Sequence, residues 1–487
     1  MKKLWLQFAV CLSVCFNLMA VEIIPTSELL ASYLERDSDL KKLTIELQKE
    51  KLNYQSTKID NGFDIQLSTG TMRFTVGDDF SFKVNPSVSV KLPQYSNLGI
   101  KASSEVSVTN DSTFGDSVSD TSISLTMDIL SSSRAEREIT FLKAERSILE
   151  AERALTKKAL EKEQTFYKNL SKLLNKVSSI IAAQQDYYDD KINFEKIKAQ
   201  GYAKTSSTYR RAEMQVLGDE HDIESDERTL FNDYRIFYIE CGKNLNLDDL
   251  TDYMSLVPDD IELVEPLNVH DYVPDNYTET EKAIWTYKIN QMTRQASKDY
   301  YLGASAGYTL ANSDTKSDSI DLGIDGTYGG VGANLGVAIP VTSDNFNPSI
   351  TMGITVKPNT FKKNKITAQI EDLSEEEEKM AIENARSNYI TAAKQKDLDL
   401  ESILWERSTN NQNLELYKNL EDDMLKWYKQ GIITESEYLS AKVNRLKSSV
   451  LQIVNYIDVI VYNSEIKSMF VDETKRAQRN NSEVVQE

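Results

Sequence analysis

The sequence predicts an α+β chain in which two β-segments alternate with two very long helical hairpins. Three observations carry this reading: the confinement of glycine, long stretches without proline, and a tip sequence that occurs twice. Of the 18 glycines, five lie between Gly62 and Gly115 and nine between Gly303 and Gly353, in windows where apolar and polar residues alternate. A period of two belongs to strands with two unlike faces. The nine prolines leave residues 94–257 and 359–487 free of proline, which long helices require.

Residues 1–20 read as a secretory signal, with Lys2 and Lys3 at the basic end, a mostly apolar stretch to Met19, and the small residue Ala20 before the expected cleavage. Its removal takes away Cys11 and Cys15 and leaves Cys241, so the exported chain forms no internal disulfide. Val21 at the new terminus argues against a lipid-modified cysteine there.

Segment 21–60 is expected to be helical, chiefly over 29–58. Segment 61–130 is the first β-segment, with alternating runs such as Phe63-Asp64-Ile65-Gln66-Leu67 and Ile123-Ser124-Leu125-Thr126-Met127. The second, 301–358, contains Ile320-Asp321-Leu322-Gly323-Ile324 and Ile350-Thr351-Met352-Gly353-Ile354. Each window divides into as many as four short runs, with Pro86, Pro93 and Gly329-Gly330 standing as turns or as kinks. The polar stretches 110–120, 312–318 and 342–347 are expected to be loops. A lipid-facing barrel and a soluble sandwich both alternate in this way, so alternation alone leaves the two open. No later segment has the ~18 uncharged apolar residues of a spanning helix, so a membrane crossing would be made by strands.

The first long hairpin is expected over 131–242 and the second over 359–470, separated by a polar linker at 243–278 and a helix at 279–300. A polar tail follows at 471–487. Residues 134–199 carry neither Gly nor Pro, enough for one helix of about 100 Å at ~1.5 Å per residue. In the last helix, Leu439, Val443, Leu446, Val450, Ile453, Ile457 and Ile460 alternate spacings of four and three, a heptad seam. Leu170, Leu173, Val177 and Ile180 follow the same habit. The return helices are shorter than their partners. End-to-end stacking is expected to lengthen them, the first by the helix at 279–297 and the second by the helix at 29–58.

The two tips read Gln200-Gly201-Tyr202-Ala203-Lys204-Thr205 and Gln430-Gly431-Ile432-Ile433-Thr434-Glu435. Tyr209 and Ala212 correspond to Tyr438 and Ala441, with one residue extra in the first copy. Thr434 with Glu437 makes a capping box, and Gly431 supplies the preceding turn. Thr205 has no matching Glu.

The signal segment, two strand-bearing windows, two long hairpins and the repeat together resemble the TolC-like outer-membrane efflux family. The resemblance spans almost the whole mature chain. Its local motif is Tyr428-x-x-Gly431-Ile432-Ile433-Thr434-x-x-Glu437-Tyr438-x-x-Ala441, with a weaker Gly201-Tyr202-Ala203-x-Thr205 in the first half. The resemblance implies an α+β membrane protein: a homotrimer whose strands form one β-barrel in the outer membrane, continued by a long α-helical barrel in the periplasm. It implies an exit duct of a tripartite efflux or type I secretion system. The partners implied are a periplasmic adaptor docking at the tip turns Gly201, Tyr202, Ala203, Thr205, Gly431, Ile432, Ile433 and Thr434, and an inner-membrane transporter. By motif position Glu437 matches an acidic residue lining the periplasmic entrance, while its other reading is a helix cap. Asp422 and Asp423 are further entrance candidates, or solvated surface. The family pattern has two long strands per half, fewer than the runs here.

The formal charge of −20 opposes a nucleic-acid partner and, in a shared lumen, favours cations. His221 and His270 have no sequence neighbours that make a metal or nucleophile signature. The Gly329–Gly336 run misses the dinucleotide spacing and leads into another strand. No Walker-type lysine is present, so energy would come from a partner. No catalytic constellation and no cofactor motif is found, and the Glu375–Glu378 run reads as a solvated face. Tyr95, Tyr301 and Tyr308 are candidates for an interfacial belt. The rival reading is a soluble periplasmic coiled-coil scaffold or adaptor without a pore. An adaptor would ordinarily carry one hairpin, and this sequence has two.

Overall fold

The computed structural model describes residues 24–75, 81–109, 118–244, 253–298, 300–311, 317–341 and 346–471. The expected signal segment, the C-terminal tail from 472, residues 245–252 of the linker and most of the loops at 110–120, 312–318 and 342–347 lie outside them. Helices α1 (Thr26–Arg36) and α2 (Ser38–Asp60) lead into strands β1 to β6, then α3 (Ser133–Ala199) and α4 (Ser207–Glu240). Helix α5 (Thr278–Ala296) leads into β7 to β10, then α6 (Pro358–Lys429) and α7 (Glu435–Met469). Helix, strands, long helix, tip and return helix thus occur twice. The long helices α3 and α6 run for 67 and 72 residues, each on the order of 100 Å along its axis.

The chain divides into two compact units, each drawing on both halves of the sequence. One comprises residues 1–44, 154–278 and 388–487, the other 45–153 and 279–387.

In the first unit the two heptad seams meet. Val443, Val450 and Ile457 of α7 share one buried cluster with Phe166, Leu170, Leu174, Val177 and Ile180 of α3 and with Leu230 and Tyr234 of α4. Tyr462 and Ile466 belong to a second cluster with Tyr389 and Ala393 of α6. Covered from both sides, α7 buries polar groups as well, and its two buried asparagines are paired. Asn463 accepts from the Leu267 amide at 2.7 Å and donates to the Glu265 carbonyl at 2.9 Å, which clips the linker to the helix. Asn410 donates to Asn455 at 2.6 Å across α6 and α7.

The expected helix stacking is corrected here. The end of α7 meets the start of α5, where Thr278 Oγ1 donates to the Met469 carbonyl at 2.8 Å and the Val471 amide to the Asn276 carbonyl at 2.9 Å. The end of α4 meets α1 instead: Ser32 Oγ donates to the Cys241 carbonyl at 2.6 Å, and Lys243 pairs with Glu28 at 2.6 Å. Each return helix therefore abuts the helix that opens its own half, not that of the other half. Gly242, at φ +74, ends α4 with bonds from its own amide to Ile239 and from the Lys243 amide to Tyr238, a Schellman turn. Cys241 beside it is buried, and burial pushes its thiol up to about 12.

In the second unit, four helical segments lie side by side. Tyr54 of α2 donates to Glu145 of α3 at 3.3 Å. Arg146 and Arg153 of α3 reach Glu281 of α5, and Arg294 of α5 makes a two-pronged pair with Glu378 of α6, both bonds at 2.9 Å. Glu375 accepts from Tyr287 at 3.2 Å and pairs with Lys379. The Glu375–Glu378 run is thus not simply solvated, because Glu378 is spent on holding α5 to α6.

The strands form one antiparallel sheet. β1 (Asp64–Ser68) pairs with β4 (Ser87–Leu92), and β2 (Arg73–Thr75) with β3 (Ser81–Val84). Both β3 and β4 pair with β5 (Leu98–Thr109), on successive stretches of it. β3 and β4 are therefore one strand kinked at Asn85-Pro86, where the Ser104 amide still reaches the Pro86 carbonyl at 3.1 Å. β1 and β2 are likewise one strand, kinked at Gly70. A Cβ at Gly70 would lie 2.1 Å from the Asn85 carbonyl oxygen, and its φ of +66 takes up the residue that changes strand parity. Beyond β5 the order continues through β6 (Val118–Leu130), β7 (Tyr300–Leu310), β8 (Ser319–Tyr328), β9 (Val331–Pro340) and β10 (Ser349–Val356).

Each half thus contributes four strands. Pro86 is a kink, Pro93 opens the β4–β5 turn, and Gly329-Gly330 is a two-residue hairpin turn with φ +58 and +99. Four strands per half, rather than two, is a departure from the pattern that the resemblance implies.

Candidate functional site

Two regions carry functional geometry: the sheet and the hairpin tips. Register puts the two faces of the sheet in order. One row across all eight strands reads Ile65, Val90, Ile100, Leu125, Ala306, Leu322, Val337, Ile350, entirely apolar. The next row, on the opposite face, reads Gln66, Ser89, Lys101, Ser124, Gly307, Asp321, Ala338, Ser349. The apolar face is left open, with Leu67 at 75% exposure, Ile350 at 68% and Met352 at 78%. A soluble sandwich would cover such a face with a second sheet. β1 and β10 each have one partner among the described residues, so the sheet has two unpaired edges.

Aromatic residues stand where the sheet joins the helices. Tyr300 and Tyr328 face each other in register on the apolar side, and Phe63, Tyr95 and Phe361 are exposed nearby in sequence. Tyr308 is exposed toward the far end of β7. Tyr301 alternates to the polar face, so Tyr300 takes the place expected for it.

At the second tip α6 ends in a Schellman turn. Gly431 sits at φ +73, its amide bonds to the Tyr428 carbonyl at 2.9 Å, and the Ile432 amide bonds to the Trp427 carbonyl at 2.9 Å. Helix α7 then starts in a complete capping box. The Glu437 amide donates to Thr434 Oγ1 at 3.3 Å, while Glu437 Oε2 accepts from the Thr434 amide at 2.8 Å. Tyr428 and Tyr438 stack across the turn with centroids 5.6 Å apart and planes 7° apart. Ile432 is 65% exposed and Ile433 half-buried. Asp422 and Asp423 are exposed on α6, and Asp423 pairs with Lys426 at 2.9 Å. Glu421, by contrast, is well covered and paired with Arg445 of α7.

The first tip is looser. Gly201 is at φ +78 and its amide bonds to the Lys198 carbonyl at 3.1 Å. The helix cap is Ser206, which accepts from the Tyr209 amide at 3.2 Å, rather than Thr205. The single extra residue of this copy would place the cap at Thr205, so the cap has moved one residue further. Tyr202 and Ala203 are exposed, and Tyr209 packs edge-on to Phe194 at 5.1 Å.

Two features close to the tips or along the hairpins escaped the sequence reading. Burial, then the hydrogen bond and charge of Asp190 and the charge of Asp186, raise the Asp219 carboxyl above its ordinary value. Burial, with the charge of Glu406, raises Asp458 of α7 to about 6. Both depend on neighbours from other helices, which spacing along one helix does not display. His270 lies 3.0 Å from Asp397, and among the described residues no group of three or more His, Cys, Asp or Glu gathers as metal ligands. None of the described helices is long and apolar enough to cross a membrane.

This is an α+β architecture of a two-faced sheet and paired long hairpins. Residues 29–261 match the family model described as the TP096X N-terminal domain, and residues 262–473 that of the TP096X C-terminal domain. The chain belongs to the TP096X family. A search of curated proteins gives no match. Among solved structures, CusC is similar with 13% identity and a TM-score of 0.44, over 92% of this chain and 92% of that one. The CmeC outer membrane channel of Campylobacter jejuni shows 14% identity and a TM-score of 0.43, over 93% of this chain and 88% of that one. The open MtrE outer membrane channel of Neisseria gonorrhoeae shows 11% identity and a TM-score of 0.43, over 91% and 88%.

Proposed function

We propose that the chain is the outer-membrane exit duct of an efflux or type I secretion assembly. The observation that carries this reading is the sheet, whose apolar face runs in register across eight strands and is exposed, while its other face is polar and small. In lipid that face needs no cover, whereas in water it would be a large sticky patch. Unpaired backbone groups at a sheet edge are not tolerated in a bilayer, so the β1 and β10 edges call for further copies that close the sheet head to tail. The resemblance to TolC-like channels supplies the number three, and with it a helical barrel reaching into the periplasm.

In this reading the duct performs no chemistry of its own. A periplasmic adaptor docks at the exposed tip residues Tyr202 and Ile432, an inner-membrane transporter supplies energy and selects cargo, and the acidic chain favours cations in the lumen. Glu437, Asp422 and Asp423 are the charges nearest the second tip.

Membrane fractionation followed by light scattering and particle imaging in mild detergent tests this. The expected result is a detergent-dependent trimer with a helical cylinder on the order of 100 Å, the length given by the helix rise. A species released with the periplasm, monomeric or dimeric without detergent, overturns the duct and favours a scaffold.

A further inference from the structure

A cavity of about 1030 Å³ opens where the second β-segment meets the helices. Its floor is the apolar face of the sheet, including Leu302, Ile324, Leu335 and Met352. Register explains the hollow: in the row Leu302, Gly326, Ala333, Ile354 the two middle residues are the small ones. The walls are the first turns of α6, with Phe361, Asn364 and Ala368, and the end of α5, with Arg294 and Lys298. The rim is aromatic, from Tyr300, Tyr328 and Phe361, each of which is exposed.

The charge around this cavity runs against that of the chain. In a protein of net charge −20, Lys357, Lys362, Lys363 and Lys365 crowd the junction of β10 with α6, and Lys298 lines the cavity itself. None of these five lysines has a carboxylate partner among the described residues. Arg294 is committed to Glu378, and Glu371 at the far wall is the one carboxylate lining the cavity. An apolar hollow, an aromatic rim and unpaired cations next to it match, in that order, the acyl chain, glycerol backbone and anionic headgroup of a phospholipid. Lysines near a membrane surface attract anionic lipid, and aromatic side chains favour the headgroup depth.

We propose that this cavity is a site for an anionic glycerophospholipid of the periplasmic leaflet. The inference rests on the outer-membrane reading, since it takes the exposed face of the sheet to be in lipid. A free phosphate would find the lysines but have no use for the floor. A neutral lipid would fill the floor and ignore the lysines.

The test uses the full-length assembly in neutral detergent. Native mass spectrometry counts retained dioleoyl phosphatidylglycerol against dioleoyl phosphatidylcholine, and thermal shift is read in parallel with inorganic phosphate as a third addition. The expected result is at least tenfold tighter retention of phosphatidylglycerol and a rise in Tm with that lipid alone. Two variants should abolish the preference while remaining assembled: K298Q/K357Q/K362Q/K363Q/K365Q, which removes the five lysines, and A333L, which fills the hollow. Equal retention of both lipids, or an unchanged preference in both variants, overturns the site. So does an equal response to inorganic phosphate. Failure of the barrel itself is distinguishable, because the protein would then be released from cells without detergent, the outcome that overturns the duct.

Discussion

Arg146 lays both terminal nitrogens of its guanidinium on the carboxylate of Glu281, Nη1 to Oε1 at 2.7 Å and Nη2 to Oε2 at 2.8 Å. The two side chains are 6% and 8% exposed, Arg153 adds two more bonds at 2.8 and 3.3 Å, and the Trp285 ring centroid lies 4.9 Å from the Arg146 guanidinium. Burial opposes ionisation of Glu281, but the hydrogen bonds from Arg146 and Arg153 outweigh it and hold the carboxyl below its ordinary value. A buried charge stripped of its partner costs about 3–5 kcal/mol. Glu281→Gln is therefore expected to destabilise the second unit by about that amount, read as a lower Tm in detergent. Arg146→Met with Glu281→Leu should recover part of the loss. Equal stability of Glu281→Gln and wild type would remove the pair from the account.

Asp458 gives a pH dependence with a definite sign. An unfolded carboxyl titrates near 3.9, whereas Asp458, buried and facing Glu406, titrates at about 6. The cleft beside it is lined by Lys168, Lys172, Asp399 and Glu465, with Lys168 and Glu465 already paired with each other. The folded state binds this proton more tightly than the unfolded state, so its contribution is complete below about pH 4 and is lost as pH rises through about 6. Asp458→Asn should therefore stabilise the protein at pH 7.5, by up to about 3 kcal/mol, and leave it unchanged near pH 4. Thermal denaturation across pH 4–8 in detergent reads the difference. Parallel profiles for the two proteins would contradict it.

Much of this architecture is legible in the sequence where the deciding residues are neighbours. Gly431, Thr434 and Glu437 sit within one turn of each other and specify their own geometry, and the Val443, Val450, Ile457 seam declares its face by spacing alone. What escapes is decided by partners far along the chain. Glu378 reads as solvated until Arg294 is brought against it. Pro86 is a kink rather than a turn because β5 continues past it and pairs on both sides. The stacking order of the helices depends on Thr278 meeting Met469 and Ser32 meeting Cys241, contacts that helix lengths do not encode. Thr205, which a single inserted residue would align with Thr434, yields its capping place to Ser206 one residue further on, which blurs any alignment of the two tips.

Glu437 has two roles that one substitution separates. Its carboxylate closes the capping box, a task that Gln performs equally well, while only Glu supplies negative charge to an entrance. Glu437→Gln is expected to keep stability within about 0.5 kcal/mol, whereas Glu437→Ala should cost about 1 kcal/mol. In single-channel recordings Glu437→Gln should lower the preference for cations over anions. Selectivity identical to wild type in the Gln variant would confine Glu437 to its helix.

The four strands of each half have a consequence for width. Eight strands per copy, at about 4.8 Å spacing and a tilt of about 40°, occupy an arc of about 50 Å. The four helical segments that lie side by side in the same unit, at 8–10 Å apart, occupy about 40 Å. The two arcs differ by only about a fifth, the sheet being the wider. Three copies would make a barrel of about 24 strands with a backbone diameter of about 48 Å from the same spacing and tilt. Two strands per half would make about half of that. Particle images of the detergent-extracted assembly should thus show a β-section at least as wide as the helical cylinder. A section near 24 Å would mean that half of the strands fold away from the barrel wall, and the in-register apolar face would then need another explanation.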